Sequence, residues 1–321
     1  MRRVLVTGAT GFAGHALVPA LVAAGWQVRA SGRDANRRPA DCEFVATDLT
    51  TESNFSPLVE GMDAILHLAA RVHIMRETAN DPIAEFRRTN VAPTARLMEA
   101  ADRGGVKHFI FASSLKVHGE RSGDKPLRED DPLLAEDAYG ASKVEAEAVI
   151  RQRSSSGPMR TTILRLPLMY GPGVQGNFQR LAKLVATGVP LPFAAATNRR
   201  SMLYVGNLCS AILTDLDRVS SSHQTFLVSD GHDVSTAELV RSIAAALGRP
   251  ARLFPAPNSM LRLAAAMAGY GGEIRRLTDS LQVDIGHIRK VLSWAPPHSF
   301  ADAMQRSLHR LSGLGPSQGT A

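Results

Sequence analysis

The segment VLVTGATGFAG, residues 4–14, decides the fold of this chain. Its apolar start predicts a first strand, and an apolar helical pattern begins at Phe12. Between them, Gly8, Gly11 and Gly14 form a G-x-x-G-x-x-G pattern. Glycines allow a tight turn and let backbone N–H groups approach a pyrophosphate, whose negative charge the helix N-terminus favours. Because the pattern lies between a strand and a helix, we expect a dinucleotide-binding turn rather than a glycine-rich turn without a ligand.

The alternation of strand and helix patterns continues through the first half of the chain. Further apolar runs predict strands at 27–31, 44–47, 64–69, 108–112 and 162–166. Helical patterns predict helices at 12–24, at 83–103 and around Tyr139. Strands that are apolar throughout are typical of a parallel sheet covered on both faces. The expected fold class is α/β, a Rossmann-type doubly wound parallel sheet with a smaller, mostly helical C-terminal substrate-binding region.

A change of composition at Pro167 divides the chain. Glycine and proline become frequent, and short helical patterns follow at 234–247, 259–268 and 282–292. We expect residues 1–166 to form the main part of the Rossmann domain. Residues 167–313 should form most of the substrate-binding region, from which some segments could return to the Rossmann sheet. The segment 314–321 is expected to be a disordered tail.

The charge balance narrows the class of partner. A formal charge of +7 and a pI near 9.8 suit anionic ligands such as nucleotide phosphates, or loose association with nucleic acid or an anionic membrane face. The basic residues are scattered, without aromatic residues interleaved, so we expect no dedicated nucleic-acid binding. No H-E-x-x-H or G-x-S-x-G pattern occurs in the sequence, so neither a metal site nor a Ser-His-Asp hydrolase is expected.

Several features favour a cytoplasmic protein without stable membrane insertion. The most apolar later stretch, residues 260–268, is interrupted by Arg262 and is too short to span a bilayer. Glycine follows the first few apolar residues, which is unlike a signal peptide. Cys42 and Cys209 lie far apart and form no metal-type or redox-type pair, as is usual in a reducing compartment.

The end of the second strand selects between the two nicotinamide dinucleotides. An acidic residue there binds the ribose 2′-OH of NAD, whereas an arginine accommodates the 2′-phosphate of NADP. The chain has Gly32 and Arg33 at this place, followed by Asp34. NADP(H) is therefore favoured, and NAD(H) is the alternative if Arg33 is a plain surface residue or Asp34 turns inward. After the third strand, the carboxylate of Asp48, next to Leu49, could accept a hydrogen bond from the adenine amine.

Tyr139 and Lys143 lie one helical turn apart, a spacing that by itself decides nothing. Together with other motifs it resembles the extended short-chain dehydrogenase/reductases of the nucleotide-sugar epimerase/dehydratase group, and especially bacterial UDP-sugar 4-epimerases and UDP-4-keto-sugar reductases of polysaccharide biosynthesis. The motifs that carry the resemblance are TGATGFAG at 7–14, DL at 48–49, HLAA at 67–70, TNV at 89–91, ASS at 112–114, YGASK at 139–143, LRLP at 164–167 and YGPG at 170–173.

The resemblance implies a role for each matching residue. Tyr139 would exchange a proton with the sugar oxygen, Lys143 would lower the tyrosine pKa and hold the nicotinamide ribose, and Ser114 would hydrogen-bond the reacting oxygen. The residues implied in cofactor binding are Gly8, Thr10, Gly11, Phe12, Ala13, Gly14, Arg33, Asp48, Leu49, Leu68, Ala69, Ala70, Asn90, Tyr139 and Lys143. The residues implied in substrate binding are Ser114, Asn177, Arg200 and Arg276, with Arg275 as a weaker candidate for the last.

Some of these residues have simpler explanations that the sequence leaves open. Asn90 could be a polar residue in helix packing, and Arg200 a solvated arginine. His67 is expected to be structural, and Glu145 and Glu147 are expected to be solvated helix residues. His118 replaces the tyrosine that many sugar epimerases carry in a V-Y-G stretch, so the sugar preference of relatives does not transfer directly.

Three functions remain in competition. The favoured one is a reductase in which NADPH delivers hydride to C4 of a 4-keto nucleotide sugar, for polysaccharide or O-antigen precursor synthesis. The alternative is a UDP-sugar 4-epimerase that uses bound NAD, and the remote alternative is a non-catalytic NAD(P)-binding sensor. A 4,6-dehydratase is disfavoured because Leu115 and Lys116 follow Ser114 where such enzymes often have Asp-Glu. A homodimer through two helices is a further expectation from the resemblance.

Overall fold

A computed structural model describes residues 2–72, 80–154, 157–218, 223–267 and 271–309. The predicted disordered tail at 314–321 lies outside these residues. Among the helices that the structure describes, none has both the length and the apolar composition to cross a membrane.

The main sheet has the predicted doubly wound parallel arrangement. Its strands are β1 (Arg3–Thr7), β2 (Gln27–Gly32), β3 (Glu43–Ala46), β4 (Ala64–His67), β5 (His108–Ser114), β6 (Arg160–Leu166) and, from the C-terminal half, β9 (Gln224–Leu227). Their order is β3-β2-β1-β4-β5-β6-β9, and every neighbouring pair is parallel. The carboxyl ends of the strands therefore share one edge, at which ligands bind in folds of this kind.

Alternating side chains of the strands fill two separate cores. Val4 and Val6 of β1 belong to the core on one face of the sheet, whereas Leu5 belongs to the core on the other. Ile110 and Phe111 of β5 divide in the same way. Successive residues of a strand point to opposite faces, so an apolar run is buried on both sides. The continuous apolar character of these strands is explained by this burial.

Twelve helices surround the sheets in the described part of the chain. They are α1 (Phe12–Ala23), α2 (Ser56–Val59), α3 (Pro82–Phe86), α4 (Ala92–Arg103), α5 (Ala138–Ser154), α6 (Asn177–Thr187), α7 (Val205–Asp217), α8 (Thr236–Ala246), α9 (Asn258–Met267), α10 (Gly271–Thr278), α11 (Gly286–Leu292) and α12 (Phe300–Leu308). Two helices predicted from sequence differ from those observed. The long helix at 83–103 is interrupted by a π turn, and the helix at 282–292 begins only at Gly286.

A proline and long-range pairing explain the two differences. The π turn covers Arg87–Val91 and ends two residues before Pro93, which has no N–H to continue an α-helical ladder. Residues before Gly286 are used as short bridges instead: Leu281 pairs with Arg200, and Val283 pairs with Leu127. Helical periodicity cannot reveal partners that lie so far away in the sequence.

The region predicted to bind the substrate has a small sheet and a core of its own, which we call the cap. Its strands are β7 (Leu168–Tyr170), β8 (Arg200–Tyr204) and β10 (Asp233–Val234), in the order β10-β8-β7. The helices α6, α8 and α12 pack around a buried cluster that includes Tyr170, Phe178 and Ile243. The helix α7 instead packs on α1, next to the Rossmann sheet.

Candidate active site

The glycine turn between β1 and α1 is sterically restricted to glycine. Gly8 has a φ of +71°, and a Cβ there would lie 2.7 Å from the backbone nitrogen of Ala69. A Cβ on Gly14 would lie 2.5 Å from the Cα of Ala9. Gly11 is the N-cap of α1, and no side chain in the described structure caps that helix end. The backbone thus leaves an open helix N-terminus at the sheet edge, which fits the pyrophosphate of a dinucleotide.

The residues predicted to contact the rest of the dinucleotide lie along the same edge. Leu68, Ala69 and Ala70 follow β4 directly, and the Ala69 N–H donates to the Thr7 hydroxyl at 3.4 Å. Asp48 follows β3 and accepts hydrogen bonds from the backbone and hydroxyl of Thr50, at 2.9 and 2.7 Å. These bonds keep the pKa of Asp48 below its usual range, against the smaller opposing effect of burial. The carboxylate is thereby held ionised at the adenine end of the predicted site.

Packing against a neighbouring side chain also explains why position 32 is a glycine. A Cβ at this position would lie 2.7 Å from the Thr10 side chain, so any larger residue requires Thr10 to move. Arg33 is exposed beside it. Asp34 does not turn inward: its side chain accepts the Asn36 N–H and caps a short 3₁₀ turn. The absence of an acidic residue at the end of β2 is therefore explained by its packing against Thr10 of the glycine turn.

The three predicted catalytic residues meet where β5 ends against α5. Ser114 is the last residue of β5, and its hydroxyl is hydrogen-bonded to the Tyr139 phenol. The Lys143 ammonium donates to the Ala112 carbonyl at 2.8 Å and lies 4.4 Å from the centre of the Phe111 ring. It is 6.0 Å from the centre of the Tyr139 ring. The structure thus places a hydroxyl, a phenol and an amine at the same edge of the sheet as the glycine turn, two strands away from it.

Burial is the main influence on the pKa values of this pair, and the expected lowering of the tyrosine pKa by Lys143 stays a prediction. Burial raises the pKa of Tyr139 to about 12, against a smaller opposing effect of the Ser114 hydrogen bond. Burial also lowers the pKa of Lys143 to about 7, although the Glu147 carboxylate acts in the opposite direction. Desolvation is the largest cause of both shifts. It favours the neutral phenol of Tyr139 and the neutral amine of Lys143.

Two predicted substrate arginines come together on the cap side of the site. The Arg200 guanidinium donates to the Asp279 carbonyl at 3.1 Å. Burial is the main cause that lowers the pKa of Arg200, and the nearby charge of Arg276 lowers it further. Arg276 lies 3.9 Å from Glu120, the residue that also holds Lys116. The two guanidinium groups form a positive patch that suits a diphosphate.

The two remaining candidates for substrate binding, Asn177 and Arg275, lie at exposed positions. Asn177 is the exposed first residue of α6, and Arg275 is exposed on α10. Neither is brought to the arginine pair by a contact that the structure describes. Their contact with a substrate stays a prediction.

Comparisons with known proteins decide the family. The model of the NAD dependent epimerase/dehydratase family matches residues 4–228, more than half of the chain. The chain belongs to this family. This membership confirms the resemblance inferred from the glycine turn and the YGASK motif, and with it the Rossmann fold.

Individual relatives add detail. A UDP-glucose 4-epimerase from Vibrio cholerae is 38% identical over 309 residues, which cover 95% of this chain and 94% of that protein. An N-acetyl-alpha-D-glucosaminyl-diphospho-ditrans,octacis-undecaprenol 4-epimerase from Escherichia coli O157:H7 is 28% identical over 262 residues, covering 80% of this chain and 77% of that protein. The solved structure of MoeE5 in complex with UDP-glucuronic acid and NAD has a TM-score of 0.77 at 25% identity and covers 96% of this chain and 98% of its own.

These relatives favour the second of the functions weighed from the sequence. Both named enzymes are 4-epimerases, which fits the alternative better than the reductase that Gly32 and Arg33 suggested. The family is described as NAD dependent, and the MoeE5 complex contains NAD. The preference for NADP therefore has no support from these comparisons.

In this family member, one buried residue was wrongly expected to be solvated. Glu147 lies one turn after Lys143 and is completely buried. Its carboxylate is bound by the Arg165 guanidinium at 2.8 Å, accepts the Ser113 hydroxyl at 2.5 Å and is paired with Arg151 at 2.6 Å. It therefore fastens α5 to β5 and β6 directly behind the catalytic residues. Glu145, by contrast, pairs with Arg87 at the surface, as expected for a solvated position.

His118 belongs to the same buried network. Its Nδ1 lies 3.1 Å from the Pro132 carbonyl, and its Nε2 lies 2.8 Å from the Arg165 guanidinium. A carbonyl only accepts and a guanidinium only donates, so the imidazole carries its proton on Nδ1 and is neutral. Burial, aided by Arg165, keeps the pKa of His118 below its usual value. The histidine at this position thus supports Arg165 from beneath the site.

Lys116 is another charged residue that the motifs did not identify as part of this region. Its ammonium bonds to Glu120 at 2.6 Å and to Asp137 at 2.5 Å. Asp137 in turn accepts the Gly140 N–H at 2.7 Å, in the first turn of α5. The lysine that replaces an acidic residue of dehydratases is therefore fixed between two carboxylates, close to both Ser114 and Tyr139.

Asn90 and His67 are two further buried polar residues of this region. Asn90 is buried. Its side-chain carbonyl accepts the Arg71 N–H, and its amide nitrogen donates to the Arg71 carbonyl and to the Ser142 hydroxyl. It holds the loop after β4 against α5, so direct contact with the cofactor stays a prediction. His67 is buried between the hydroxyls of Thr7 and Thr94 and has a structural role, as expected. Within the described residues, no group of three or more His, Cys, Asp or Glu side chains is placed to hold a metal ion.

Proposed function

We propose that this protein is an NAD-dependent 4-epimerase of a nucleotide sugar, with a UDP-linked sugar as substrate. The observation that carries the proposal is the meeting of Ser114, Tyr139 and Lys143 at the sheet edge that also holds the sterically restricted glycine turn. Its support from comparison is the similarity to a UDP-glucose 4-epimerase over 95% of the chain. A non-catalytic sensor would not need this set of proton-transfer groups intact.

The chemistry begins with a proton transfer at the C4 hydroxyl. The bound dinucleotide supplies the acceptor for the C4 hydride and later returns that hydride. Tyr139 takes the hydroxyl proton as the C4–H bond breaks, and the Ser114 hydroxyl hydrogen-bonds the same sugar oxygen. The product of this step is a 4-keto sugar. In the second half of the reaction Tyr139 would give the proton back to the C4 oxygen, and a hydride returned to the opposite face of C4 would yield the epimer without net oxidation.

Lys143 and the buried carboxylate behind it prepare this proton transfer. An ammonium near the phenol favours the phenolate, so the base form of Tyr139 depends on keeping Lys143 charged. Glu147 contributes a negative charge that raises the pKa of Lys143 against its burial. Ser113 and Ala112, which bond to Glu147 and Lys143 respectively, are the two residues that precede Ser114. The same contacts therefore fix both the charge and the position of the acid/base group.

The cap supplies the contacts for the rest of the substrate. Arg200 and Arg276 are placed to bind the diphosphate, since guanidinium groups match phosphate oxygens in charge and geometry. Asn177 at the start of α6 is the third proposed contact. Binding through the diphosphate leaves the sugar free to present either face of C4, which epimerisation requires.

The test is an incubation of the purified protein with UDP-glucose or UDP-N-acetylglucosamine, each without added reductant. We expect conversion to the galacto epimer, detected by chromatography or NMR, with no net change in nicotinamide absorbance. The Tyr139→Phe variant should bind NAD and show no conversion. Absence of epimerised product for every UDP-sugar, with NAD bound and the protein folded, would contradict the proposal.

A second candidate, a 4-keto-sugar reductase, is favoured by one observation, the Gly32–Arg33 pair at the end of β2. That arrangement removes the carboxylate that repels a 2′-phosphate and adds a cation. A UDP-4-keto-sugar mixed with NADPH distinguishes the two functions. Stoichiometric oxidation of NADPH indicates the reductase, whereas interconversion of epimers without oxidation indicates the epimerase.

A further inference from the structure

The helix α9 presents an unusual face to its surroundings. Its three large exposed side chains, Met260, Leu263 and Met267, are 58%, 63% and 77% accessible. Steps of three and four residues place them on one side of the helix. Leu261 packs against the core of the cap, and Arg262 bonds to Asp279 at 2.5 Å. The apolar side chains thus point away from the protein while the arginine reaches toward it, the reverse of an ordinary surface helix.

More exposed apolar side chains lie next to the start of α9. Phe254 is 46% accessible, and its segment is bonded to the one that carries Val189: the Leu191 N–H donates to the Arg252 carbonyl at 2.9 Å. The Phe254 N–H donates back to Leu191 at 3.0 Å. Val189 and Leu184 are also among the exposed large apolar residues of the described chain. Apolar exposure in this part of the cap is therefore shared by neighbouring segments.

The charge of the same segments has one sign. Residues 177–191 and 249–267 contain no Asp or Glu. They contain the cations Arg180, Lys183, Arg249, Arg252 and Arg262. Arg180, Lys183 and Arg252 are exposed. Apolar side chains accompanied by cations, without acidic residues, are the composition that favours an anionic lipid surface.

We propose that α9 docks on the surface of an anionic lipid bilayer. Met260, Leu263 and Met267 would enter the boundary between headgroups and acyl chains, and the exposed cations Arg180, Lys183 and Arg252 would contact lipid phosphates. A second copy of the chain fits this surface poorly, because a two-fold contact would bring the cations of both copies together. The helix has ten residues and lies on the membrane rather than crossing it.

The position of α9 gives this contact a consequence for the site. Arg262 of α9 bonds to the Asp279 side chain, and the Asp279 carbonyl accepts from Arg200. The proposed lipid-binding helix is therefore connected through one residue to the proposed diphosphate-binding arginine. Docking at the membrane would place the substrate entrance near lipid headgroups. The docking itself does not depend on the proposed enzymatic function, because it is measured without turnover.

Vesicle flotation of the full chain tests the proposal. We expect binding to vesicles of phosphatidylglycerol with phosphatidylethanolamine, weaker binding at high salt, and little binding to pure phosphatidylcholine. Leu263→Gln should reduce binding about tenfold, since a leucine side chain then no longer enters the apolar boundary. Leu134→Gln is the matched control, because Leu134 is a leucine of 65% accessibility outside α9 and should bind as wild type.

Three results would overturn the proposal. The first is failure of the wild-type chain to float with phosphatidylglycerol vesicles. The second is equal binding by wild type and the Met260→Gln, Leu263→Gln, Met267→Gln triple variant. The third is an equal loss in the Leu134→Gln control, which would mean non-specific adsorption. Thermal melting verifies that each variant is folded, and sedimentation velocity reveals whether the α9 side chains instead join two copies of the chain.

Discussion

The two halves of the site are built by different physical means. The cofactor half, at the ends of β1, β2 and β4, consists of glycine turns and apolar strands, and Gly8 and Gly14 fit there because a Cβ would meet backbone atoms. The catalytic half, at the ends of β5 and β6 and along α5, contains the buried charges of Glu147, Arg165 and Lys143. Steric fit therefore controls the first half, whereas charge pairing in a low dielectric controls the second.

This contrast predicts which kind of substitution each half tolerates. In the cofactor half, an added methyl group is damaging and a changed charge has a small effect. In the catalytic half, a change of charge at constant shape is damaging because it leaves a buried partner unpaired. Conservative substitutions can therefore distinguish the two halves.

Removal of the Tyr139 hydroxyl should have the largest effect on catalysis. Tyr139→Phe keeps the ring that packs 6.0 Å from Phe86 but removes the proton-transfer group. Loss of a general acid/base lowers turnover by about a hundredfold to ten-thousandfold. Turnover should be followed by NMR of the UDP-sugar, and NAD affinity by calorimetry. Unchanged NAD affinity with lost turnover supports the separation of the two halves, and normal turnover would contradict the role of Tyr139.

Neutralising Glu147 should have the largest effect on stability. Glu147→Gln retains the shape but leaves the Arg165 guanidinium buried without a counter-charge, a change that costs about 3–5 kcal/mol. Urea unfolding measures this cost. Glu145→Gln is the control on the same helix, because Glu145 pairs with Arg87 at the surface and the free energy of unfolding should change far less. Equal effects of the two substitutions would show that the buried network does not stabilise the catalytic half.

A methyl group added to the glycine turn should damage the cofactor half without any change of charge. Gly8→Ala combines a φ of +71° with a Cβ 2.7 Å from Ala69, so we expect weaker NAD binding and a stability loss of about 1–3 kcal/mol. Gly25→Ala has a similar φ of +82° but no atom within 4 Å of its Cβ. This control isolates the backbone strain, and it should retain wild-type NAD affinity. Loss of NAD binding in both variants would mean that the close approach to Ala69 is unimportant.

The pH dependence of stability should reveal the neutral histidine between the two halves. Burial lowers the pKa of His67 from 6.5 to about 3. The neutral form is therefore favoured in the folded chain, and its contribution is fully present above pH 6.5 and is lost as the pH falls toward 3. Between these limits each pH unit should remove about 1.4 kcal/mol. The urea-unfolding free energy of His67→Gln should fall less steeply over this range, and parallel slopes would contradict the assignment.

The two halves also differ in how far sequence alone could predict them. The glycine turn is encoded within residues 7–14, and the Tyr139–Lys143 spacing is local too, so both were predicted correctly in place. The carboxylate of Glu147 is different, because its partners Ser113 and Arg165 lie on two other strands. A helical pattern shows which residues share a face, but not which buried charges that face will meet.

The same limit applies to the protonation of the catalytic pair. The motif predicts that Tyr139 and Lys143 lie one turn apart on α5, but it does not predict that burial raises the pKa of the tyrosine to about 12. The cause is desolvation by the surrounding elements, which no spacing rule contains. Helix boundaries failed for a related reason, since residues 281–285 pair with distant segments instead of extending α11.

The smallest predicted effect concerns Arg33, a cation at the outer end of the cofactor half. Arg33 is exposed next to Gly32, so Arg33→Ala should weaken NADP binding about tenfold, through loss of one charge-assisted hydrogen bond, and leave NAD binding unchanged. Arg37→Ala, in the adjoining 3₁₀ turn, is the control. Calorimetric titration of both dinucleotides measures the difference. If Arg33→Ala and Arg37→Ala bind NADP equally well, the glycine at position 32 serves only the packing of Thr10, and the cofactor half selects its ligand by shape alone.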